Sequence, residues 1–143
     1  MEMHVKVFAH PAQALVEFAL SLPVLLLLVL GLVNIGLLIN AQIAVTQSAW
    51  EGARAGAIIS DPAQGDQEIV GAVKRSVPGF NADLLQIDID PQQDETPRDQ
   101  PWPAPRGSPI TVTVSYPMTL FIPVAVNVSV SARAVSRMEY QNP

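Results

Sequence analysis

The chain has 143 residues, 49% of them hydrophobic and 15% charged, with a formal net charge of −5 and no cysteine. That length suits one domain plus a membrane segment, and the lack of cysteine excludes a disulfide framework, a thiolate nucleophile and a Cys-ligated zinc site. After Asn40 there are 7 Lys or Arg against 11 Asp or Glu, a balance that argues against a nucleic-acid partner and against docking on anionic lipid by charge.

The first feature along the chain is an apolar run of 22 residues from Phe18 to Ile39, in which only Ser21 and Asn34 are plainly polar. As a helix it is ~33 Å long, enough to cross a bilayer once. Glu17 stands at its front edge. A charge in lipid costs on the order of a few kcal/mol near the bilayer centre and less toward the interface, so such a residue is read as functional by default. Pro23 falls inside the helix, where it removes one backbone hydrogen bond and crowds the carbonyl of Ala19, which predicts a kink. Membrane helices tolerate this when neighbours satisfy the freed group. Both histidines, His4 and His10, precede the run, so a domain beyond it has none and cannot use Ser-His-Asp chemistry.

Three readings compete for residues 1–39. A cleaved secretory signal needs an apolar core of roughly 7–15 residues followed by a small-x-small site; this run is longer, and Ile39-Asn40-Ala41 has a bulky residue at −3. An unprocessed signal anchor fits the length and leaves Glu17 unexplained. The third reading is a prepilin-type segment, with a short leader cut off immediately before the apolar helix.

The stretch Gln13-Ala14-Leu15-Val16-Glu17-Phe18-Ala19-Leu20 resembles the processed start of the TadE-like pseudopilins, minor components of tight-adherence (Tad) pilus systems. In that family a Gly precedes the cut, and Glu, followed by Phe or Tyr, is the fifth mature residue. The resemblance puts the cut between Ala12 and Gln13, with Ala12 where Gly is usual, and makes Glu17 residue five. Residues 46–57, with the core Glu51-Gly52-Ala53-Arg54, are similar to the family's segment after the membrane helix. Ile110–Tyr116 and Arg133–Glu139 are similar to its strand-rich tail. The resemblance implies a prepilin peptidase and other pilin or pseudopilin subunits as partners, besides membrane lipid. A free amine on Gln13, or the amine of a neighbouring subunit, would then be the partner of Glu17, with Phe18 beside it in the docking surface. Charge leaves orientation nearly tied: Lys6 is offset by Glu2 and Arg54 by Glu51. The position of the span and the resemblance put the N-terminus in the cytoplasm and the bulk of the chain outside, in the cytoplasmic (inner) membrane.

Beyond the run the helix is expected to continue to about Ile59. Ile43, Trp50, Ala53 and Ala57 share one face, with Gln42, Glu51 and Arg54 solvated. Ser48, Gly52 and Gly56 recur every four residues, a spacing for close helix packing; past the span it predicts packing against the chain's own strands, an inter-subunit seam being the alternative. Asp61-Pro62 ends this helix. A short amphipathic helix follows over residues 66–77, with Ile69, Val70, Val73 and Val77 inward, and Pro78-Gly79 stops it. Leu85, Ile87 and Ile89 alternate with polar residues as a half-buried strand. Residues 91–109 hold 6 of the 13 prolines and read as an extended or partly disordered loop, with Trp102 as its one apolar contact residue. Ile110, Val112, Val114 and Tyr116, then Val126, Val128, Val130, Ala132 and Ala134, mark two further strands.

The expected fold is α+β and pilin-like: a long N-terminal transmembrane helix whose outer half packs on a small antiparallel sheet of about three strands. The expected division is a leader over 1–12, a transmembrane helix over 13–39, and an exported domain over 40–143 containing the Pro-rich loop 91–109. Asp88, Asp90, Asp94, Glu95 and Asp99 do not match an EF-hand loop, and no phosphate loop, nucleophile elbow or zinc signature is present. The chain reads as a structural protein with no catalytic residue, cofactor, metal or small-molecule substrate. The rival is an unprocessed, single-span anchored binding module unrelated to pili.

Overall fold

The apolar run forms the middle of one continuous helix. The computed structural model describes residues 11–58, 65–100, 105–122 and 124–139; residues 1–10, the Asp61-Pro62 helix stop and Trp102 lie outside them. Helix α1, Pro11–Ile58, has 48 residues and is therefore ~72 Å long. It passes through Pro23 without ending. It is long and apolar enough to cross a membrane, and only 6% of its most apolar window is buried, unlike the core helix of a soluble domain.

The outer end of α1 packs. Helix α2 (Gly65–Arg75) carries Asp66 and Glu68 in its first turn and Lys74 and Arg75 in its last, matching the helix dipole at both ends. It ends two residues short of the expected Val77, which is still buried beyond it. Strands β1 (Gln86–Asp90), β2 (Pro109–Ile122) and β3 (Val124–Arg137) form one antiparallel sheet in the order β1-β2-β3. β1 pairs only with Thr111–Ser115 of β2. β2 and β3 pair along their whole length, from Pro109↔Arg137 to Ile122↔Val124.

The α+β fold with a long apolar N-terminal helix and a three-stranded antiparallel sheet is thus the expected one. Both strands of the hairpin are longer than the alternation implies. β2 continues through Pro117, beyond Ser115, the last residue that β1 pairs. There one edge of β2 has no β1 neighbour, and a missing N–H costs no bond to it.

The core lies where α1 crosses the sheet. Ala41, Val45, Ala49 and Ala53 of α1 meet Ile69 and Val73 of α2, Ile110, Val112 and Val114 of β2, and Val130 and Ala134 of β3. Two residues assigned by spacing to the inner face of α1 are outside it: Ile43 is 52% and Trp50 58% exposed. The buried stripe is built of small residues instead, because the helix approaches its neighbours too closely for large ones. The chain end closes this core: Met138 is fully buried and the N–H of Glu139 donates to the carbonyl of Ala57 at 2.7 Å.

Candidate functional site

The N-terminal part of α1 is a bare helix. Leu15, Val16, Phe18, Leu20 and the leucines to Leu32 are all exposed, so none of the described residues covers the face that carries Glu17. Gln13 and Glu17 are one turn apart on the same side, separated by ~6 Å along the axis. Glu17 is exposed and has no hydrogen-bond or ion-pair partner among the described residues, and Phe18 beside it is 62% exposed. Ala12 and Gln13 lie in the first turns of the same helix.

Gly52 and Gly56 sit at the opposite end, in the core. A Cβ on Gly52 would lie 2.5 Å from Cγ2 of Val73 and 3.1 Å from Cγ1 of Val112. One on Gly56 would lie 2.7 Å from Cδ1 of Ile110 and 3.0 Å from Cδ1 of Ile69. The small-residue repeat therefore packs within the chain, against α2 and β2 together. Gly31 and Gly36, in the apolar run, have nothing within 4 Å.

Two polar arrangements were not legible beforehand. Asn34, inside the apolar run, is 4% exposed. Its Nδ2 donates to the carbonyls of Leu30 at 2.7 Å and Phe121 at 3.1 Å, and its Oδ1 accepts from the N–H of Phe121 at 3.0 Å. A lone amide in an apolar run was the only signal for it. Arg98, placed by composition in a loose loop, is 6% exposed. Its Nη1 pairs with Oδ1 of Asp66 at 2.6 Å and donates to the carbonyl of Pro91 at 2.8 Å. The other Asp66 oxygen accepts from the N–H of Gln93 at 3.1 Å. Residues 91–100 are thus a set of turns tied to the start of α2, a correction to the extended loop expected there. Proline content marked the lack of regular structure; it could not report a partner 32 residues upstream in α2.

The acidic stretch does not converge. Asp88 and Asp90 are exposed on β1, Glu95 accepts from the N–H of Gln92, and Asp94 and Asp99 face solvent. Among the described residues, no three His, Cys, Asp or Glu side chains come together as a metal site.

Bare apolar helix, intramolecular small-residue packing and a modest strand domain fit a membrane-anchored α+β protein. Residues 12–54 match the family described as TadE-like protein, so the chain carries a TadE-like segment spanning the bare helix and its first packed turns. This bears out the resemblance read from residues 13–20 and from the Glu51-Gly52-Ala53-Arg54 core. That family is associated with pili and is of a structural, non-enzymatic kind. No curated protein and no solved structure matches the chain.

Proposed function

We propose that the chain is a minor pseudopilin of a tight-adherence pilus system, stored in the cytoplasmic membrane and used to initiate or cap pilus assembly. The leader is residues 1–12, the membrane segment 13–39, and the exported domain 40–143. A prepilin peptidase cuts between Ala12 and Gln13. The observation that carries the reading is the bare helix face bearing Glu17 within the TadE-like segment. A carboxylate at the lip of a membrane helix calls for a partner, and this chain offers it none among the described residues.

Glu17 takes the amine released at Gln13, or that of an adjoining subunit, as its counter-charge, and Phe18 packs against the neighbouring helix. Exposed leucines along the same face suit both lipid before assembly and other subunits' helices after it. The N-terminus faces the cytoplasm. Intact-mass measurement of the membrane-extracted protein tests the reading: processing yields a chain beginning at Gln13. A chain beginning at Met1 or Glu2 supports the rival, an unprocessed anchored binding module.

A further inference from the structure

Beyond the packed core, the β2–β3 hairpin runs back along α1 toward the apolar run. Gly56 faces Ile110, Gly52 faces Val112, and Asn34 bonds Phe121, so β2 is antiparallel to α1 over its full length. From Ile110 to Phe121 the strand descends ~36 Å, and from Gly56 back to Asn34 the helix descends ~33 Å. The two stay in step to the end of the hairpin.

That end lies beside the apolar run. With Glu17 at the inner lip, a ~30 Å hydrocarbon layer takes about 20 helical residues and reaches Leu37. Asn34 is then ~4.5 Å inside the outer boundary, and Phe121 is held at its level by two hydrogen bonds. The composition of the hairpin suits that depth. No Asp, Glu, Lys or Arg occurs between Arg106 and Arg133, as none occurs between Glu17 and Glu51 on α1. Phe121 is 60% and Val124 69% exposed, large apolar side chains that the protein itself leaves uncovered.

We infer that the hairpin tip, through Phe121 and Val124, inserts into the interfacial zone of the outer leaflet of the same membrane that α1 spans. The occupant of this apolar tip is lipid, because the tip is continuous with the lipid-covered surface of α1. Depth is limited by the backbone: strand edges carry unpaired N–H and C=O groups that hydrocarbon does not satisfy. Asn34 supplies both bonds to Phe121 at the deepest strand position it reaches. Penetration of about 5–10 Å into the boundary of headgroups and chains is what apolar faces of interfacial elements reach. The hairpin and α1 thereby hold the exported domain at a fixed height and tilt on the bilayer.

The inference rests on α1 spanning the membrane, and the test separates the two. The native chain has no cysteine, so single-cysteine variants of the full chain can carry an environment-sensitive fluorophore. Phe121→Cys and Val124→Cys change only exposed side chains; Leu28→Cys reports the bilayer centre and Glu51→Cys the exported domain. The labelled proteins are placed in phosphatidylcholine vesicles with or without lipid bearing a nitroxide near the top of the acyl chain. A blue-shifted emission and a loss of intensity with nitroxide lipid at 121 and 124, but not at 51, is the expected result. If 28 is blue-shifted while 121 and 124 behave like 51, the tip is in water and the inference fails with the span intact. If 28 also behaves like 51, the span itself fails. If 121 or 124 is shielded from nitroxide, and the same variant left unlabelled forms disulfide dimers on oxidation in the vesicles, a second copy covers the tip and the lipid assignment is overturned.

Discussion

Asn34 and Phe121, 87 residues apart in sequence, exchange two hydrogen bonds, with Asn34 Oδ1 accepting at 3.0 Å and its Nδ2 donating at 3.1 Å. An amide in an apolar run is costly unless paired, and here it fastens the tip of a hairpin to a helix. Asn34→Leu leaves both Phe121 groups without this partner, a loss of about 1–3 kcal/mol. Hydrogen exchange on the detergent-solubilised protein is expected to quicken about tenfold to a hundredfold at the Phe121 amide. Exchange at Val112 and Val114, in the core, should change little. An unchanged Phe121 rate would mean that other contacts hold the tip.

Gly52 and Gly36 lie on the same helix and predict opposite outcomes. A methyl at Gly52 meets Val73 Cγ2 at 2.5 Å, and Val is stiff at χ1, so Gly52→Ala should lose about 1–3 kcal/mol by overpacking. Gly56→Ala meets the ends of Ile110 and Ile69, which yield more readily, and should cost less. Gly36→Ala, with nothing within 4 Å, should be neutral or gain up to ~1 kcal/mol from helix propensity. Thermal unfolding of the three variants in one detergent gives the order.

Arg98→Met is expected to destabilise the strand domain by about 2–4 kcal/mol, toward the low end of what breaking a buried pair costs because the Asp66 side chain is a third exposed. Adding Asp66→Asn, which keeps an oxygen for the Gln93 N–H, should recover part of that loss. A double-mutant cycle on denaturant unfolding measures the coupling. Strict additivity of the two changes would contradict a direct pair.

Much of the fold could be read ahead because its signals are local. The apolar run, the Ile69/Val73/Val77 spacing and the alternation at Ile110–Tyr116 each report an element from within itself. Position relative to other elements could not be read so. Ile43 and Trp50 fit a helical inner face by spacing alone, yet the close approach at Gly52 and Gly56 admits only small side chains there. Arg98 looked like part of a loose loop because Asp66 is remote in sequence. Of the candidate site, Glu17 was visible as a charge out of place. Asn34 was visible only as an exception in an apolar run, since its meaning lies in Phe121.

Glu17→Ala should insert in the membrane as the native chain does, because the apolar run is unaltered, but should enter the pilus assembly poorly. Membrane fractionation and co-purification with pilin subunits from the native host read the two properties separately. Glu17→Gln, with similar size and no charge, should fail like Glu17→Ala if charge pairing is the cause. Normal incorporation of either variant would remove the pairing argument.

The central claim is that a free amine arises at Gln13 one helical turn from Glu17. Intact mass with N-terminal sequencing of the protein extracted from its native membrane tests it most directly. Processing predicts a chain that starts at Gln13; an intact start at Met1 or Glu2 would contradict it.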